Sequence, residues 1–167
     1  MKLLYPTAMF EKISDITVEL LERFGVSALI LDVDNTLAAH GSPTPDKNAV
    51  KWLETMRKAG IKLVIASNNY NRRVAPFAGL LSLDYAANSM KPLPIGFSRV
   101  SKRLGLPASS FGVVGDQIFT DVLGGNLFGA KTFFVKPLSD KELFSIKLKR
   151  KIEARILNAY AGKENLR

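Results

Sequence analysis

The stretch ALILDVDNT, residues 28–36, decides the fold of this chain. An uninterrupted apolar run is typical of a strand buried on both faces of a parallel sheet, and polar residues directly after it are typical of a ligand-binding edge. Further strands are predicted for IKLVIA (61–66), residues 84–87, FGVVG (111–115) and KTFFV (131–135). Strands that alternate with helical segments predict an α/β fold: a Rossmann-like domain with a five-stranded parallel sheet and helices on both faces.

Helices are predicted between and around these strands. Thr44 and Pro45 predict the start of the first crossover helix, and Gly60 predicts its end. Other helices are predicted within 13–24, over 71–80, 97–105 and 119–128, and after a capping pair, Ser139 and Glu142. We expect a single domain over residues 1–167, with its core at 28–136 and helical flanks at 1–27 and 137–167.

The composition narrows the class of protein. The 167 residues carry a net charge of +9 and include one histidine and no cysteine. These counts exclude disulfides and thiolate chemistry and argue against a histidine-based zinc site. No apolar run approaches the length of about 18 residues that a membrane span needs, and the N-terminus lacks the pattern of a signal peptide. We therefore expect a cytoplasmic protein.

The positive charge is concentrated near the C-terminus, where residues 136–167 carry +5. A basic segment of this kind attracts nucleic acid, anionic lipid or acidic protein, or forms only a solvated helix face. Its apolar residues at helical spacing allow it either to dock on the core or to lie on the inner face of a membrane as a peripheral contact. These alternatives, and the oligomeric state, stay open on the sequence alone.

Four polar clusters fall at predicted strand ends, where open α/β sheets bind ligands. They are DVDNT (32–36), SNN (67–69), KP (91–92), and GD (115–116) with Asp121. Their four aspartates would lie close together at this edge, so their negative charges need compensation. The four are Asp32, Asp34, Asp116 and Asp121. Lys91 and a divalent cation would supply this compensation, and oxygen ligands favour Mg²⁺. A metal, an amine and a hydroxyl around one carboxylate suit phosphoryl transfer.

These motifs resemble those of the haloacid dehalogenase (HAD) superfamily of phosphatases over roughly residues 28–136. A closer similarity is to the YqeG-type phosphatases of HAD subclass IIIA, relatives of the mitochondrial phosphatidylglycerophosphatase. The resembling text is LILDVDNTL (29–37), IASNN (65–69), MKP (90–92) and VVGDQIFTDVLGGN (113–126) with GAKTFFVKPL (129–138). Leu127 stands where the family often has Arg, a departure that leaves the core motifs intact.

The resemblance implies a phosphomonoester hydrolase that works through an aspartyl-phosphate intermediate. It implies that Asp32 is the nucleophile, and that Asp34 is the acid for the leaving oxygen and then the base for water. Ser67 would hydrogen-bond the phosphoryl group, and Lys91 would orient Asp32 and neutralise phosphate charge. The implied Mg²⁺ site comprises Asp32, Asp116, the backbone carbonyl of Asp34, and Asp121, which holds a metal-bound water or Lys91.

Further substrate contacts are expected from Asn35, Thr36 and Asn68. Arg72, with Arg73, either holds a second phosphate at the mouth of the site or simply begins a solvated helix. The segments between motifs are too short for a cap domain, so we expect an open site with a small flap that carries His40. We expect His40 to lie on the surface of that flap rather than to act in the chemistry.

An open site admits large substrates. The leading interpretation is dephosphorylation of phosphatidylglycerophosphate, which rests on the resemblance, the open site and the basic tail. The alternatives are a soluble phosphatase for a small metabolite, a protein or a nucleic-acid end, and a non-catalytic module that binds nucleic acid or a GTPase.

Overall fold

The computed structural model describes residues 2–139 and 144–164. The strands are β1 Ala8–Phe10, β2 Ala28–Leu31, β3 Lys62–Ala66, β4 Asp84–Ala86, β5 Phe111–Gly115 and β6 Lys131–Val135. The α-helices of the described residues are α1 Val18–Arg23, α2 Lys47–Lys58, α3 Asn71–Leu81, α4 Ile95–Leu104, α5 Leu123–Phe128 and α6 Phe144–Glu164. A π-helical turn, Ile118–Val122, leads directly into α5, and short 3-10 turns lie at Lys2–Leu4, Ile13–Asp15 and Ala108–Ser110.

All the strands pair in parallel in one sheet with the order β1-β6-β5-β2-β3-β4. The α/β fold with a parallel sheet is therefore confirmed. The chain moves from β2 outward through β3 and β4, and then returns to the other side of β2 for β5 and β6. This change of direction makes a topological switch point at the carboxyl end of β2, where ligands bind in open α/β sheets.

The sheet has six strands, so the predicted number of five is wrong by one. The additional strand is β1, which pairs with β6 at the sheet edge from Ala8 opposite Phe133 to Phe10 opposite Val135. Thr7 anchors it, because its amide donates to the Thr132 carbonyl at 2.7 Å and its hydroxyl accepts from the Thr132 amide at 3.0 Å. Three half-buried residues are too short a run for the sequence pattern to mark as a strand.

Two predicted helix starts are wrong. Helix α2 begins at Lys47 rather than Pro45, because the Asp46 carboxylate accepts from the amides of Asn48 and Ala49 at 2.9 and 3.1 Å and caps the helix. The predicted helix within 13–24 is divided into the 3-10 turn Ile13–Asp15 and α1. The division falls at Thr17, whose hydroxyl accepts from the Leu20 amide at 3.3 Å and caps α1.

Apolar side chains cover both faces of the sheet. Along β2, Leu29 and Leu31 pack on the face that also contacts α2 and α3, through residues such as Trp52 and Phe77. The alternate residues of β2 pack on the opposite face, against Phe97 and Val100 of α4. This two-sided burial is why the strand reads as a continuous apolar run.

Helix α6 contains much of the basic tail and docks on the core through its described side chains. Ile156 and Leu157 pack against the cluster of Ile118, Val122 and Phe134. Buried Glu153 accepts from the Phe119 amide at 3.2 Å. Glu142, half of the predicted capping pair, lies outside the described residues. Among the described helices, none combines the length and the apolar character needed to cross a bilayer.

Candidate active site

The carboxyl ends of the central strands bring the predicted motifs together. Asp32 follows β2, Ser67 follows β3 and Asp116 follows β5. The backbone ties these ends to the sheet, because the Asp32 amide donates to the Val114 carbonyl and the Ser67 amide donates to the Ala86 carbonyl, both at 3.0 Å. All three side chains are buried, so the site is a pocket floor at the switch point rather than a surface cluster.

A buried ammonium joins two of the aspartates. Lys91 Nζ donates to Asp32 Oδ1 at 2.5 Å and to Asp121 Oδ1 at 2.7 Å. The three side chains are almost completely inaccessible to solvent. One cation between two carboxylates leaves the trio with a formal charge of −1, which suits a site that binds a cation as well as a phosphate.

Burial and charge shift the pKa values in this group. The pKa of Asp32 is raised to about 7, mainly by burial and also by the charges of Asp121 and Asp34, against the attraction of Lys91. Burial acts to lower the pKa of Lys91, but the attraction of Asp121 and Asp32 outweighs it and raises that pKa above its usual range. Lys91 is therefore a fixed positive charge, whereas the charge on Asp32 depends on what else binds nearby.

Asn68 holds the backbone of Lys91 in place. Its side-chain nitrogen donates to the Lys91 carbonyl at 2.9 Å, and its side-chain oxygen accepts from the Lys91 amide at 2.7 Å. This paired contact joins the turn after β3 to the loop after β4. The structure thus gives Asn68 a positioning contact with Lys91, and its predicted contact with substrate stays a prediction.

Ser67 shapes the turn that follows β3. Its hydroxyl accepts from the Asn69 amide at 3.1 Å and so keeps its own hydrogen for donation. Asn69 in turn donates from its side chain to Asp34 Oδ2 at 2.7 Å. The two residues therefore connect the β3 turn to the acidic motif after β2.

The Asp34 carboxylate is turned away from the buried ammonium and toward the mouth of the site. Its Oδ1 atom accepts from Arg73 Nη2 at 2.6 Å and from the Gly41 amide at 3.0 Å. The flap that follows it is closed by a bridge between Asp34 and Ala38. The side chain of His40 lies 3.8 Å from Asp34 Oδ1 and is about one-third exposed.

Asp121 reaches the site because of a close approach to Gly115 at the end of β5. A Cβ atom on Gly115 would overlap the Asp121 carboxyl group, so only glycine fits at that position. The second oxygen of Asp121 accepts from the Gln117 amide at 3.2 Å. The π-helical turn Ile118–Val122 carries Asp121 into this position from outside the sheet.

The residues present fit a divalent cation. Asp32, Asp116 and Asp121 each offer one carboxylate oxygen, and these atoms lie within 4.8 Å of one another. All three residues are buried, and a set of oxygen ligands suits a hard cation such as Mg²⁺. The side chain of Asp34 is not in this group, so its predicted place at the metal depends on its backbone carbonyl.

The other predicted substrate residues fall in different environments. Asn35 and Thr36 are buried in the flap, where Asn35 adopts a positive φ of 60° and its side-chain oxygen accepts from the His40 amide at 3.1 Å. Arg72 is exposed, and its guanidinium carbon lies 5.9 Å from the centre of the Tyr70 ring. Its neighbour Arg73 contacts Asp34, and the expected contact of Arg72 with a second phosphate stays a prediction.

The sequence analysis placed Asn69 in the SNN cluster but gave it no role of its own, and its side chain contacts Asp34. The signal for such a role is the edge that it shares with Asp34, since the polar residues after β3 lie at the same edge as those after β2.

Comparison with known proteins assigns the family. A family model described as haloacid dehalogenase-like hydrolase matches residues 7–129, which is well over half of the chain. The chain belongs to this hydrolase family. The match includes β1 and the four polar clusters, from Asp32 to Asp121.

Two curated relatives carry phosphatase names. "Probable phosphatase YqeG" of Bacillus subtilis (strain 168) is 35% identical over 99% of this chain and 96% of its own length. "Phosphatidylglycerophosphate phosphatase 1, chloroplastic/mitochondrial" of Arabidopsis thaliana is 28% identical over 87% of this chain but only 44% of its own length. The family match and the first relative identify this haloacid dehalogenase-like hydrolase as a phosphatase.

Solved structures of similar shape agree with the fold. A protein from Listeria monocytogenes serotype 4b matches with a TM-score of 0.57 and 20% identity, covering 71% of this chain and 85% of its own. A phosphate- and sodium-bound HAD family hydrolase from Deinococcus radiodurans R1 matches with a TM-score of 0.55 and 16% identity, covering 65% of this chain and 80% of its own. At these identities the similarity supports the architecture alone.

Proposed function

We propose that this phosphatase is a Mg²⁺-dependent phosphomonoester hydrolase that forms an aspartyl-phosphate at Asp32 and acts on phosphatidylglycerophosphate or a similar lipid phosphomonoester. The observation that carries the proposed chemistry is the position of Lys91 Nζ between Asp32 and Asp121. An ammonium fixed there keeps the Asp32 carboxylate oriented, and it offsets negative charge where a phosphoryl group would be transferred.

In the first step, an oxygen of the Asp32 carboxylate attacks the phosphorus of the ester. A phosphorus–oxygen bond to Asp32 forms while the bond to the leaving alcohol oxygen breaks. Asp34 gives its proton to that oxygen, and the Ser67 hydroxyl donates a hydrogen bond to the phosphoryl group. The buried Ser67 and Asp32 lie at the ends of adjacent strands, which supports a shared role on one phosphoryl group.

In the second step, Asp34 accepts a proton from water as the water oxygen attacks the same phosphorus. The bond between phosphorus and the Asp32 oxygen breaks, which releases inorganic phosphate and restores the carboxylate. Asp34 ends the cycle protonated, as it began. Its place at the mouth, among Arg73, Asn69 and the flap, supports contact with both the leaving alcohol and the incoming water.

The metal would be held by Asp32, Asp116 and the backbone carbonyl of Asp34. Asp121 lies close by and forms an ion pair with Lys91. When bound, the cation would supply charge neutralisation for the phosphoryl oxygens. Lys91, Asp32 and Asp121 together carry one net negative charge, and Asp116 adds another. The residues therefore favour a divalent cation over a second ammonium.

Three features support a lipid substrate. The connection from Leu31 to Lys47 is described in full and contains no helix or extended strand, so no cap domain covers the site there. The Arabidopsis thaliana relative bears the name of a phosphatidylglycerophosphate phosphatase. The third feature is a set of exposed apolar side chains around the mouth.

This apolar rim consists of Tyr70, Met90, Leu93 and Leu138, each of them more than two-fifths exposed. Tyr70 follows Asn69, Met90 precedes Lys91, and the Leu138 amide donates to the Asn35 carbonyl at 3.0 Å. Three of these residues therefore lie directly beside residues of the site. Exposed apolar side chains next to arginines suit the surface of an anionic membrane, where each basic residue contributes about 1 kcal/mol.

A panel of phosphate esters tests this proposal. Phosphate release is measured with phosphatidylglycerophosphate in anionic vesicles, with glycerol 3-phosphate, with a phosphopeptide, and with a 5′-phosphorylated oligonucleotide. We expect Mg²⁺-dependent release, fastest from the lipid and lost in Asp32→Asn. Faster turnover of a soluble ester would favour the metabolite, protein or nucleic-acid alternatives, and no release from any ester would favour a non-catalytic module.

The membrane contact is tested separately by flotation with anionic vesicles at low and high salt. We expect binding that weakens with salt and that falls when Met90 and Leu93 are both changed to Ser. A matched control is the quadruple charge neutralisation of Lys147, Lys149, Arg150 and Lys151 in the basic tail. Loss of binding only in that variant would assign the contact to the tail instead of the rim, and RNA retention on a filter would indicate a nucleic-acid partner.

A further inference from the structure

Arg73 and Asp34 form an ion pair at the mouth of the site, with Arg73 Nη2 2.6 Å from Asp34 Oδ1. Asp34 is well shielded, but the Arg73 side chain is about 40% exposed. A half-exposed guanidinium can easily leave one anion and pair with another, because water solvates it during the change.

Both oxygens of Asp34 are occupied by donors. Oδ1 accepts from Arg73 and from the Gly41 amide, and Oδ2 accepts from the Asn69 side chain. A carboxylate has about four acceptor positions, and these three donors fill most of them, so the oxygen of a leaving alcohol gains better access when one donor withdraws. The Gly41 amide is fixed by the flap backbone, whereas the long Arg73 side chain can leave. Arg73 is therefore the donor whose movement would open Asp34 Oδ1 to the leaving oxygen.

A cavity of about 240 Å³ lies next to this ion pair. Arg72 and Arg73 contribute its positive charge, and Ser67 and Asn69 connect it to the catalytic motifs. Its other wall is apolar, with Pro43 and Phe77. Among the described residues that line it there is no carboxylate. A cavity of this size and charge suits a small anionic group rather than an acyl chain.

We propose that this cavity is the subsite for a second anionic group of the substrate, a phosphodiester, and that Arg73 moves from Asp34 to this anion when substrate binds. This inference rests on the proposed function, because it assigns the leaving-group side of the same site. The guanidinium fork matches two phosphodiester oxygens better than it matches a single carboxylate oxygen. Binding of the second anion and release of Asp34 then occur together.

The consequence is a preference among phosphomonoesters. An ester with a phosphodiester one glycerol away from the reacting phosphate draws Arg73 off Asp34. A simple monoester leaves Arg73 where it is, and Asp34 stays occupied. Substrates of the first kind gain both in binding and in turnover, whereas a substrate that only bound more tightly would gain in KM alone.

The test uses three soluble esters: deacylated phosphatidylglycerophosphate, its methyl phosphotriester, and glycerol 3-phosphate. The triester keeps the shape of the first compound but lacks the second negative charge. We expect the wild-type protein to prefer the diester over both others by at least about tenfold in kcat/KM, with changes in both kcat and KM. Arg73→Gln should reduce this preference to less than about threefold, and Arg73→Lys should give an intermediate value.

Arg99→Gln is the matched control, because Arg99 is an exposed arginine of α4 that does not line the cavity. It should keep the full preference. A second measurement is inhibition of aryl phosphate hydrolysis by glycerophosphoglycerol, a phosphodiester with no monoester. We expect inhibition of the wild-type protein and none of Arg73→Gln.

Equal kcat/KM for the diester and the triester would overturn the subsite, as would an undiminished preference in Arg73→Gln. Either result, obtained with hydrolysis that still requires Asp32, would leave the proposed function intact. Absence of Asp32-dependent hydrolysis of all three esters and of an aryl phosphate would overturn the proposed function and this inference with it.

Discussion

Lys91 Nζ lies 2.5 Å from Asp32 Oδ1, although the two residues are 59 positions apart in the chain. The contact forms because β2 and β3 are adjacent in the sheet and Asn68, after β3, holds the Lys91 backbone. The ammonium also reaches Asp121, so one buried cation organises the acidic residues of the site.

Replacing Lys91 with Met should therefore affect both folding and catalysis. It leaves Asp32 and Asp121 buried without their cation, which costs about 3 kcal/mol of unfolding free energy when one partner of a buried pair is removed. We expect a reduced chemical denaturation midpoint and at least about a hundredfold loss of kcat. Lys51→Met, at an exposed position of α2, should change neither measurement appreciably. Wild-type stability in Lys91→Met would contradict the buried bridge.

Gly115 should not tolerate a side chain. The Cβ atom of Gly115→Ala would overlap the Asp121 carboxyl group, so Asp121 must move away from Lys91 or the end of β5 must shift. We expect a loss of Mg²⁺-induced thermal stabilisation and of activity. Gly79→Ala is the control, because a Cβ there meets nothing within 4 Å and Ala favours a helix by about 1 kcal/mol. The account of Asp121 is wrong if Gly115→Ala binds Mg²⁺ normally.

Asn68 should act on catalysis through Lys91. Asn68→Ala removes both side-chain contacts with the Lys91 backbone, and each such hydrogen bond contributes about 1 kcal/mol. We expect kcat to fall about tenfold or more while KM for an aryl phosphate changes little. Asn48→Ala, at an exposed position of α2, should leave kcat unchanged. A selective increase in KM would instead support the predicted contact between Asn68 and substrate.

Metal binding should strengthen as the pH rises. Burial raises the pKa of Asp32 to about 7, so below that pH a proton competes with the metal for this carboxylate. The increase in Tm that Mg²⁺ gives over chelated protein should therefore be small at about pH 6 and should grow through about pH 8. Asp32→Asn should flatten this dependence. An Mg²⁺ effect that is independent of pH in the wild-type protein would show that Asp32 is already ionised without metal.

The sequence predicted strands correctly where burial on both faces of the sheet left an unbroken apolar run. Strands β5 and β6 have the predicted limits, and β2 is completely buried, because their central positions allow no polar alternation. Strand β1 was missed because it has three half-buried residues at the sheet edge. Its pairing depends on contacts with Thr132, 125 positions away, which no local pattern records.

Side-chain contacts at the site were harder to predict than the motifs themselves. Arg72 and Arg73 are neighbours at the start of α3, and which of them faces Asp34 depends on the phase of that helix. The start of α2 was misplaced for a related reason, because Thr44, Pro45 and Asp46 are all acceptable residues at a helix start and only the observed cap distinguishes them.

Transfer of phosphate to Asp32 is tested by trapping the aspartyl-phosphate. The Asp34→Asn protein, which should transfer phosphate but release it slowly, is mixed with an aryl phosphate and Mg²⁺, quenched in acid, reduced with borohydride and sequenced by mass spectrometry. We expect Asp32 to be converted to homoserine, and the conversion to disappear when substrate is omitted. Conversion at another residue, or a pre-steady-state release of alcohol with Asp32 unmodified, would contradict the transfer of phosphate to Asp32.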